Sequence, residues 1–514
     1  MQKSWRSMAL VLAAMLTALP TGYAADLSLQ DAINLALAQN TGLLITQKGE
    51  DTAEATLSKA RGRNSVSAST SASLFNADKE QGKDWQTESS FSGISASVPL
   101  YSGGANEAAI KSGELGVDAA RLKTERERED LKLSVIKAYY NALEARKTID
   151  VDQESVDNYE AHYTNVSQLY SAGSKAKIDV LRSSVELSNA RQTLIKAQNA
   201  YEVDLATLRN LLNVDRSEPL TLTTDFAYDK FDISMDDCVN YAYRNRKDLQ
   251  IDLYSLEQKE LSIKEAKAGN IPSLTINGAV KPNWAMDWDE GKSSGKPAYS
   301  AGVGLSWNIF DSGVTKAEIK EAENQRDIAK LTVLKDKETI DLDLRQAYYN
   351  MREAEKRFTS TSDAVGQAEQ DYYIAREKYR AGEGLMLDII DAQLALSTAR
   401  LNHISAQYDY ARYKAQVENA MGIGLTESEK LSASGLQTDV NKVVQASPIP
   451  MTTQEQAANS KQTGKSKQKA KKAKNAKTAA QPAPAKTETT KAPAAPAVND
   501  AQATAAALAQ DKEQ

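Results

Sequence analysis

Ser65-Val66-Ser67-Ala68-Ser69-Thr70-Ser71-Ala72-Ser73-Leu74-Phe75 is the stretch that decides the fold. Serine holds every odd position from 65 to 73, while Val66, Ala68, Thr70, Ala72 and Leu74 hold the even ones. A period of two sends successive side chains to opposite faces, so the stretch predicts a strand with one apolar and one small polar face. Residues 91–101 continue in kind, with Ile94, Ala96, Val98 and Leu100 against Ser95 and Ser97. The pattern returns over 273–283, where Leu274, Ile276, Gly278 and Val280 alternate with Ser273, Thr275 and Asn277. It returns again over 299–310, where Ala301, Val303, Leu305, Trp307 and Ile309 alternate with Ser300, Gly302, Gly304, Ser306 and Asn308.

Each strand is about ten residues, the length a tilted membrane strand needs. Polar loops at 76–90 and 281–297 join the pairs and carry Trp85, Trp284 and Trp288; Tyr101 and Phe310 close the other ends. Aromatics at both rims suit the girdles of a barrel. One such segment alone is as well read as a serine-rich surface hairpin. Four of them, paired alike in an exported chain, predict a membrane barrel with small polar residues lining the lumen. Four strands cannot close, because barrels start at about eight, and an open sheet edge in lipid leaves amides unpaired. Several chains must therefore share one barrel.

The strand pairs sit inside a duplication. Ala138-Tyr139-Tyr140-Asn141 returns as Ala347-Tyr348-Tyr349-Asn350, and Tyr170-Ser171-Ala172-Gly173 as Tyr379-Arg380-Ala381-Gly382, each 209 residues on. Asp179 returns as Asp388 in the same register. Most of each copy is helical in pattern. Leu387, Ile390, Leu394, Ser397, Leu401, Ile404, Tyr408 and Ala411 form a heptad seam, and Ile178, Leu181, Val185 and Ser188 begin the first copy's seam likewise. Proline is absent from Leu100 to Glu218 and from Ala298 to Ser447, which permits uninterrupted helices. Long helices are expected over about 105–170 and 176–212, and over 314–380 and 386–421. The first would be roughly 100 Å long at about 1.5 Å per residue.

The expected organisation is a signal peptide at 1–24, a first repeat at 25–230, a second at 231–440 and a disordered tail at 441–514. Lys3 and Arg6 precede an apolar run from Met8 to Leu19, and Gly22-Tyr23-Ala24 suits cleavage. The tail is rich in Lys, Ala, Gln, Thr and Pro, with Lys469, Lys471, Lys472 and Lys474 close together. Charge is nearly balanced at 63 basic and 69 acidic residues, which gives no reason to expect a nucleic-acid partner. The single cysteine, Cys238, has no partner for a disulfide. His162 and His403 lack ligand-like neighbours, and no phosphate loop, nucleophile elbow or zinc spacing occurs. No catalytic residue, cofactor or metal is expected.

A signal peptide, two helix-rich repeats and a strand pair in each resemble the TolC family of outer-membrane efflux proteins. The resemblance covers about residues 26–424. It is carried most specifically by Val98-Pro99-Leu100-Tyr101-Ser102-Gly103-Gly104 and its counterpart Trp307-Asn308-Ile309-Phe310-Asp311-Ser312-Gly313. Tyr379-Arg380-Ala381-Gly382 leading into Leu387-Asp388-Ile389-Ile390-Asp391-Ala392 carries it further.

What the resemblance implies is a homotrimer in the outer membrane of a Gram-negative cell. Its twelve-stranded barrel would continue into a periplasmic tunnel of helices, closed at the tip. A periplasmic adaptor and an inner-membrane transporter of the RND, ABC or MFS type would open it. The duct would serve a tripartite efflux pump or a type I secretion system. Asp388 and Asp391 would form the aspartate rings of the entrance; their spacing of three puts both on one helix face. Tyr379 and Asp179 would form the closed-tip latch. A basic residue that the family pattern places at 384 is replaced by Gly384, and Lys175 and Lys177 are candidates for the missing counter-charge. The rival class is a trimeric coiled-coil adhesin anchored by a shared barrel, which should gather its strands in one C-terminal block. A periplasmic adaptor, a second rival, should lack paired membrane strands.

Overall fold

The computed structural model describes residues 25–78, 86–216, 219–281, 284–287, 292–294 and 298–423. The expected signal peptide, the tail, Trp85 and Trp288 lie outside them. The first repeat runs β1 (Ala25–Leu27), α1 (Leu29–Gln39), α2 (Thr41–Arg63), β2 (Ser67–Asp78), β3 (Gln86–Tyr101), α3 (Ala105–Ser171) and α4 (Lys177–Leu212). β4 (Leu220–Leu222) ends the first repeat by pairing with β1, and the second runs α5 (Met235–Asn245), α6 (Lys247–Ala268), β5 (Ser273–Lys281), β6 (Trp284–Asp287), β7 (Lys292–Ser294), β8 (Ala298–Ser306), α7 (Val314–Arg380) and α8 (Met386–Met421). The paired long helices match residue for residue, 67 in α3 and α7 and 36 in α4 and α8.

The short helices were absent from the sequence expectation. Each repeat opens one with a serine cap: Ser28 Oγ accepts from the Asp31 amide (3.2 Å), and Ser234 Oγ from the Asp237 amide (3.2 Å). Both serines donate back to the capping-turn carboxylate. Asn40 then caps α2 by accepting from the Gly42 and Leu43 amides.

The repeated Ala-Tyr-Tyr-Asn pins each repeat's entering chain to its long helix. The hydroxyl of Tyr139, fully buried on α3, donates to the Leu27 carbonyl (2.8 Å) and accepts from the Thr224 amide (3.0 Å). Its counterpart Tyr348 on α7 donates to the Ile233 carbonyl (3.3 Å). Around these tyrosines lie the two main cores. One is built on Val135, Ala138, Tyr139 and Leu208 with α1, β1 and β4; the other on Leu344, Ala347, Met351 and Val417 with α5.

Apart from the short parallel pair β1–β4, the strands form one antiparallel sheet in the order β2-β3-β5-β8, with the small β6–β7 hairpin continuing from β3. Its register sorts the faces. Thr70, Ile94, Val280 and Tyr299 line up across the four strands, followed by Ala68, Ala96, Gly278 and Ala301; Val98, Ile276 and Val303 form the next apolar row. The alternate rows read Ser69, Ser95, Ala279, Ser300 and Ser67, Ser97, Asn277, Gly302. One face is apolar and the other small and polar, as the alternation requires.

Strand ends differ from expectation where pairing dictates. β8 stops at Ser306 rather than 310, because its partner β5 begins at Ser273, directly after Pro272. β2 and β3 run on through much of the expected loop, since backbone pairing does not require apolar side chains. A bulge after Pro99 absorbs the proline's missing donor.

The long helices stand side by side in the order α4-α3-α8-α7 at one end, with α2 and α6 flanking α3 nearer the sheet. The heptad seam on α8 is only partly inward. Leu387 and Leu394 are 54% and 61% exposed, whereas Met386, Ile389, Ala392 and Leu396 are buried; by Tyr408 the seam itself is buried. A strict seven-residue repeat drifts about 20° per heptad on a straight helix, which carries this seam from outside to inside over its length. Ile178, Leu181 and Val185 on α4 are exposed in the same way.

Candidate functional site

At the end remote from the sheet, both hairpins turn by left-handed glycine. Gly173 (φ 76°) follows α3, and the Ser174 amide donates to the Leu169 carbonyl (2.8 Å). Gly382 (φ 81°) follows α7, and the Glu383 and Gly384 amides both donate to the Lys378 carbonyl (3.0 and 3.1 Å). Glycine reaches this conformation without a Cβ penalty. The returning helices lack side-chain N-caps. Instead an acid on the third residue reaches back: Asp179 accepts from the Ala176 amide (3.4 Å), and Asp388 from the Leu385 amide (3.0 Å). Asp388 is thus held as part of α8's first turn. Asp391 lies exposed one turn on, beside the outward Leu387 and Leu394, and its first-repeat equivalent is Arg182.

The missing basic residue has a steric cause. A Cβ on Gly384 would come 2.9 Å from the Tyr379 amide nitrogen and 3.1 Å from the Lys378 carbonyl carbon. The chain folds back against the end of α7 too closely for any side chain. The equivalent place in the first repeat holds Lys175, whose Nζ lies 4.4 Å from the Tyr379 ring centroid. Lys177 is exposed at the start of α4.

Tyr379 is 4% exposed, and its hydroxyl has no hydrogen-bond partner among the described residues. Asp179 is engaged with its own helix start rather than bonded to Tyr379. Burial, and secondarily the Asp179 charge, push the Tyr379 hydroxyl above the ordinary phenol value. Against the same ring lies His162 of α3, centroid to centroid 5.4 Å, with Nε2 buried and unpartnered. Burial and the Lys175 charge lower its pKa. Gln393 of α8, buried at 3% exposure, donates to Ser397 Oγ (3.2 Å) but leaves Oε1 unpaired. The sequence reading gave His162 no role and passed over Gln393, because no spacing in the chain announces the contact between α3 and α7 or the burial of one polar residue on α8. His403, by contrast, is satisfied by Thr361 and Gln407 and stacks on Phe358.

Above the tip, arginines tie the helices together. Arg400 on α8 donates to Glu154 of α3 (2.6 Å) and Glu369 of α7 (2.8 Å). Arg412 reaches Glu144 (2.5 Å) and Asp409 (2.6 Å), and Asp409 also accepts from Arg357 (2.6 Å).

At the other end, no helix among the described residues packs extensively across either face of the sheet. Val66, Ile94, Val303 and Leu305 stand exposed, Leu305 by 70%. Water would penalise this surface; lipid would not. Among the described residues no helix is long and apolar enough to cross a membrane. An exposed apolar sheet, set on helices of this length, defines one protomer's share of a membrane barrel.

The family model of the outer membrane efflux protein matches residues 32–214 and 239–423, one stretch per repeat. A probable efflux pump outer membrane protein, TtgC of Pseudomonas putida, is 24% identical over 306 residues, 58% of this chain and 61% of that protein. Less than two-thirds of that relative is therefore spanned. The outer membrane protein TolC of Vibrio cholerae is 22% identical over 304 residues, 57% of this chain and 68% of that one. The solved Campylobacter jejuni CmeC outer membrane channel superposes with a TM-score of 0.68 at 18% identity, covering 81% of this chain and 89% of that one. The chain belongs to the outer membrane efflux protein family, and its location is the outer membrane.

Proposed function

We propose that the protein is the outer-membrane exit duct of a tripartite efflux pump or type I secretion system. The observation that carries this reading is the sheet β2-β3-β5-β8, exposed on its apolar face and with its outer strands β2 and β8 each pairing with one neighbour among the described residues, set on α3 and α7, helices about 100 Å long. Three chains supply twelve strands and close the barrel, which satisfies every edge amide. The exposed apolar residues of α7, among them Ile328, Leu331 and Leu342, meet the α2 and α4 edge of the next copy. Head-to-tail contacts of this kind close into rings.

Asp388 and Asp391 line the periplasmic entrance, where threefold symmetry gathers six carboxylates and favours cations. Tyr379 and Lys175 fasten the two hairpins of each chain, and Asp179 fixes the start of α4 beside them. A periplasmic adaptor opens the tip, and an inner-membrane transporter supplies both energy and cargo selection. The duct makes and breaks no bonds. The relatives' names, covering efflux pumps and a toxin and drug export protein, support this class of role.

Deleting the gene tests the reading. Loss of the duct should sensitise cells to dyes and detergents, or abolish export of a secreted protein, with complementation restoring it. Unchanged sensitivity together with unchanged secretion would contradict the proposal.

A further inference from the structure

We propose that His162 makes the hairpin tip acid-responsive: its protonation parts the first hairpin's turn from the end of α7 and opens the duct. The inference rests on the reading of this end as the duct's closure. Tyr379, at the end of the second hairpin, is contacted by two residues of the first, the His162 imidazole at 5.4 Å and the Lys175 ammonium at 4.4 Å. The three form the aromatic and cationic join between hairpins, beside the small apolar cluster of Val166, Ala375, Met386 and Ile389.

The charged groups on the elements around this contact are Glu160 on α3, Lys175 on the turn, Lys177 and Asp179 on α4, Arg376, Glu377, Lys378 and Arg380 on α7, Glu383 on the second turn, and Asp388 and Asp391 on α8; Glu160 pairs with Arg191 and Arg380 with Glu377. Asp179 and Asp388 accept from their own helix starts. Arg376 lies by Tyr372 and Tyr373 and pairs with Glu377. Lys175 is the charge that acts on His162, and it opposes protonation. Neutral His162 packs on Tyr379 with its buried Nε2 unpartnered but uncharged. An imidazolium there has a buried Nε2–H without an acceptor and a cation beside it, and both are relieved by letting water in. Acid thus drives apart the aromatic and cationic contact that joins the hairpins at the tip. Nothing comparable arises at His403, whose two nitrogens already have partners.

The test is single-channel recording of the purified full-length protein in planar lipid bilayers, in symmetric potassium chloride, between about pH 7.5 and pH 5. The wild type should gain conductance severalfold on acidification. His162→Gln, which keeps a polar side chain but cannot take up a proton, should lose that gain. Lys175→Met, which removes the opposing charge, should move its midpoint to higher pH. An acid response that survives in His162→Gln, or a midpoint unmoved in Lys175→Met, overturns the proposal while leaving the duct intact. Absence of conductance in every protein at every pH overturns the duct reading itself.

Discussion

Lys175 lies with its ammonium 4.4 Å from the ring centroid of Tyr379, and so one repeat supplies the cation that the other repeat has no room for. The room is missing because Gly384 sits under the end of α7. Gly384→Arg would restore the family's basic residue on paper and should damage the turn in fact. Overpacking of this kind costs about 1–3 kcal/mol. Limited proteolysis between α7 and α8 should become faster in Gly384→Arg and in Gly384→Ala alike; unaltered cleavage would mean that the turn yields.

The two entrance acids should separate on mutation. Asp391→Ala removes a charge and no structural bond, so it should weaken block by multivalent cations without altering stability. Asp388→Ala loses the same charge and also the bond from the Leu385 amide, worth about 0.5–2 kcal/mol for caps of this type. Bilayer block measurements set beside thermal unfolding check both halves. Equal stability of the two variants would count against the capping role, and unaltered block in both against the entrance.

Tyr379→Phe should leave resting conductance nearly unchanged, since the hydroxyl it removes has no partner. Tyr379→Ala should raise it, because His162 and Lys175 lose the ring they share. A large effect of the phenylalanine variant would mean that the hydroxyl is bonded in the assembled duct.

The repeated tyrosines should rank by their bonds. Tyr139→Phe leaves the Thr224 amide without its acceptor, costing about 1–3 kcal/mol, and removes one of the two bonds to the Leu27 carbonyl, which keeps the Thr223 amide (3.2 Å). Tyr348→Phe loses one longer bond to Ile233 and its contact with Arg352, at a partly buried site, and should cost less. Thermal dissociation of the oligomer gives the order directly, and the reverse order would refute it.

Burial pushes the Glu129 carboxyl up to about 7, despite Arg126 at 3.2 Å. The folded state therefore binds this proton more tightly than the unfolded chain does. Its contribution is fully present below the ordinary carboxyl value and is lost as pH rises toward 7. Glu129→Gln should abolish that loss and stabilise the protein at pH 8 by roughly 2–4 kcal/mol per chain. Denaturation midpoints compared near pH 5 and pH 8 decide it: the variant's advantage should appear only at the higher pH.

The sheet was legible because serine alternation is an unambiguous period of two, and its register then matched row for row. The long helices were legible because proline and glycine mark their limits, with the turns at Gly173 and Gly382. The short helices were there to be found in Ser28-Leu29-Gln30-Asp31 and Ser234-Met235-Asp236-Asp237, capping signals that the strong long-range periodicity overshadowed. The seam through Leu387 and Leu394 was found but not its direction, since heptad spacing cannot say whether it faces the same chain or another. The tip was legible only in part. Tyr379, Asp179 and Lys175 come together, but the contact of His162 with Tyr379 joins distant segments, and no local pattern encodes it.

The central claim is that one chain holds only a third of a barrel. Native mass spectrometry of the protein extracted from outer membranes tests it most directly. The account predicts a particle of three chains that dissociates on heating. A stable single-chain particle in the membrane would contradict it.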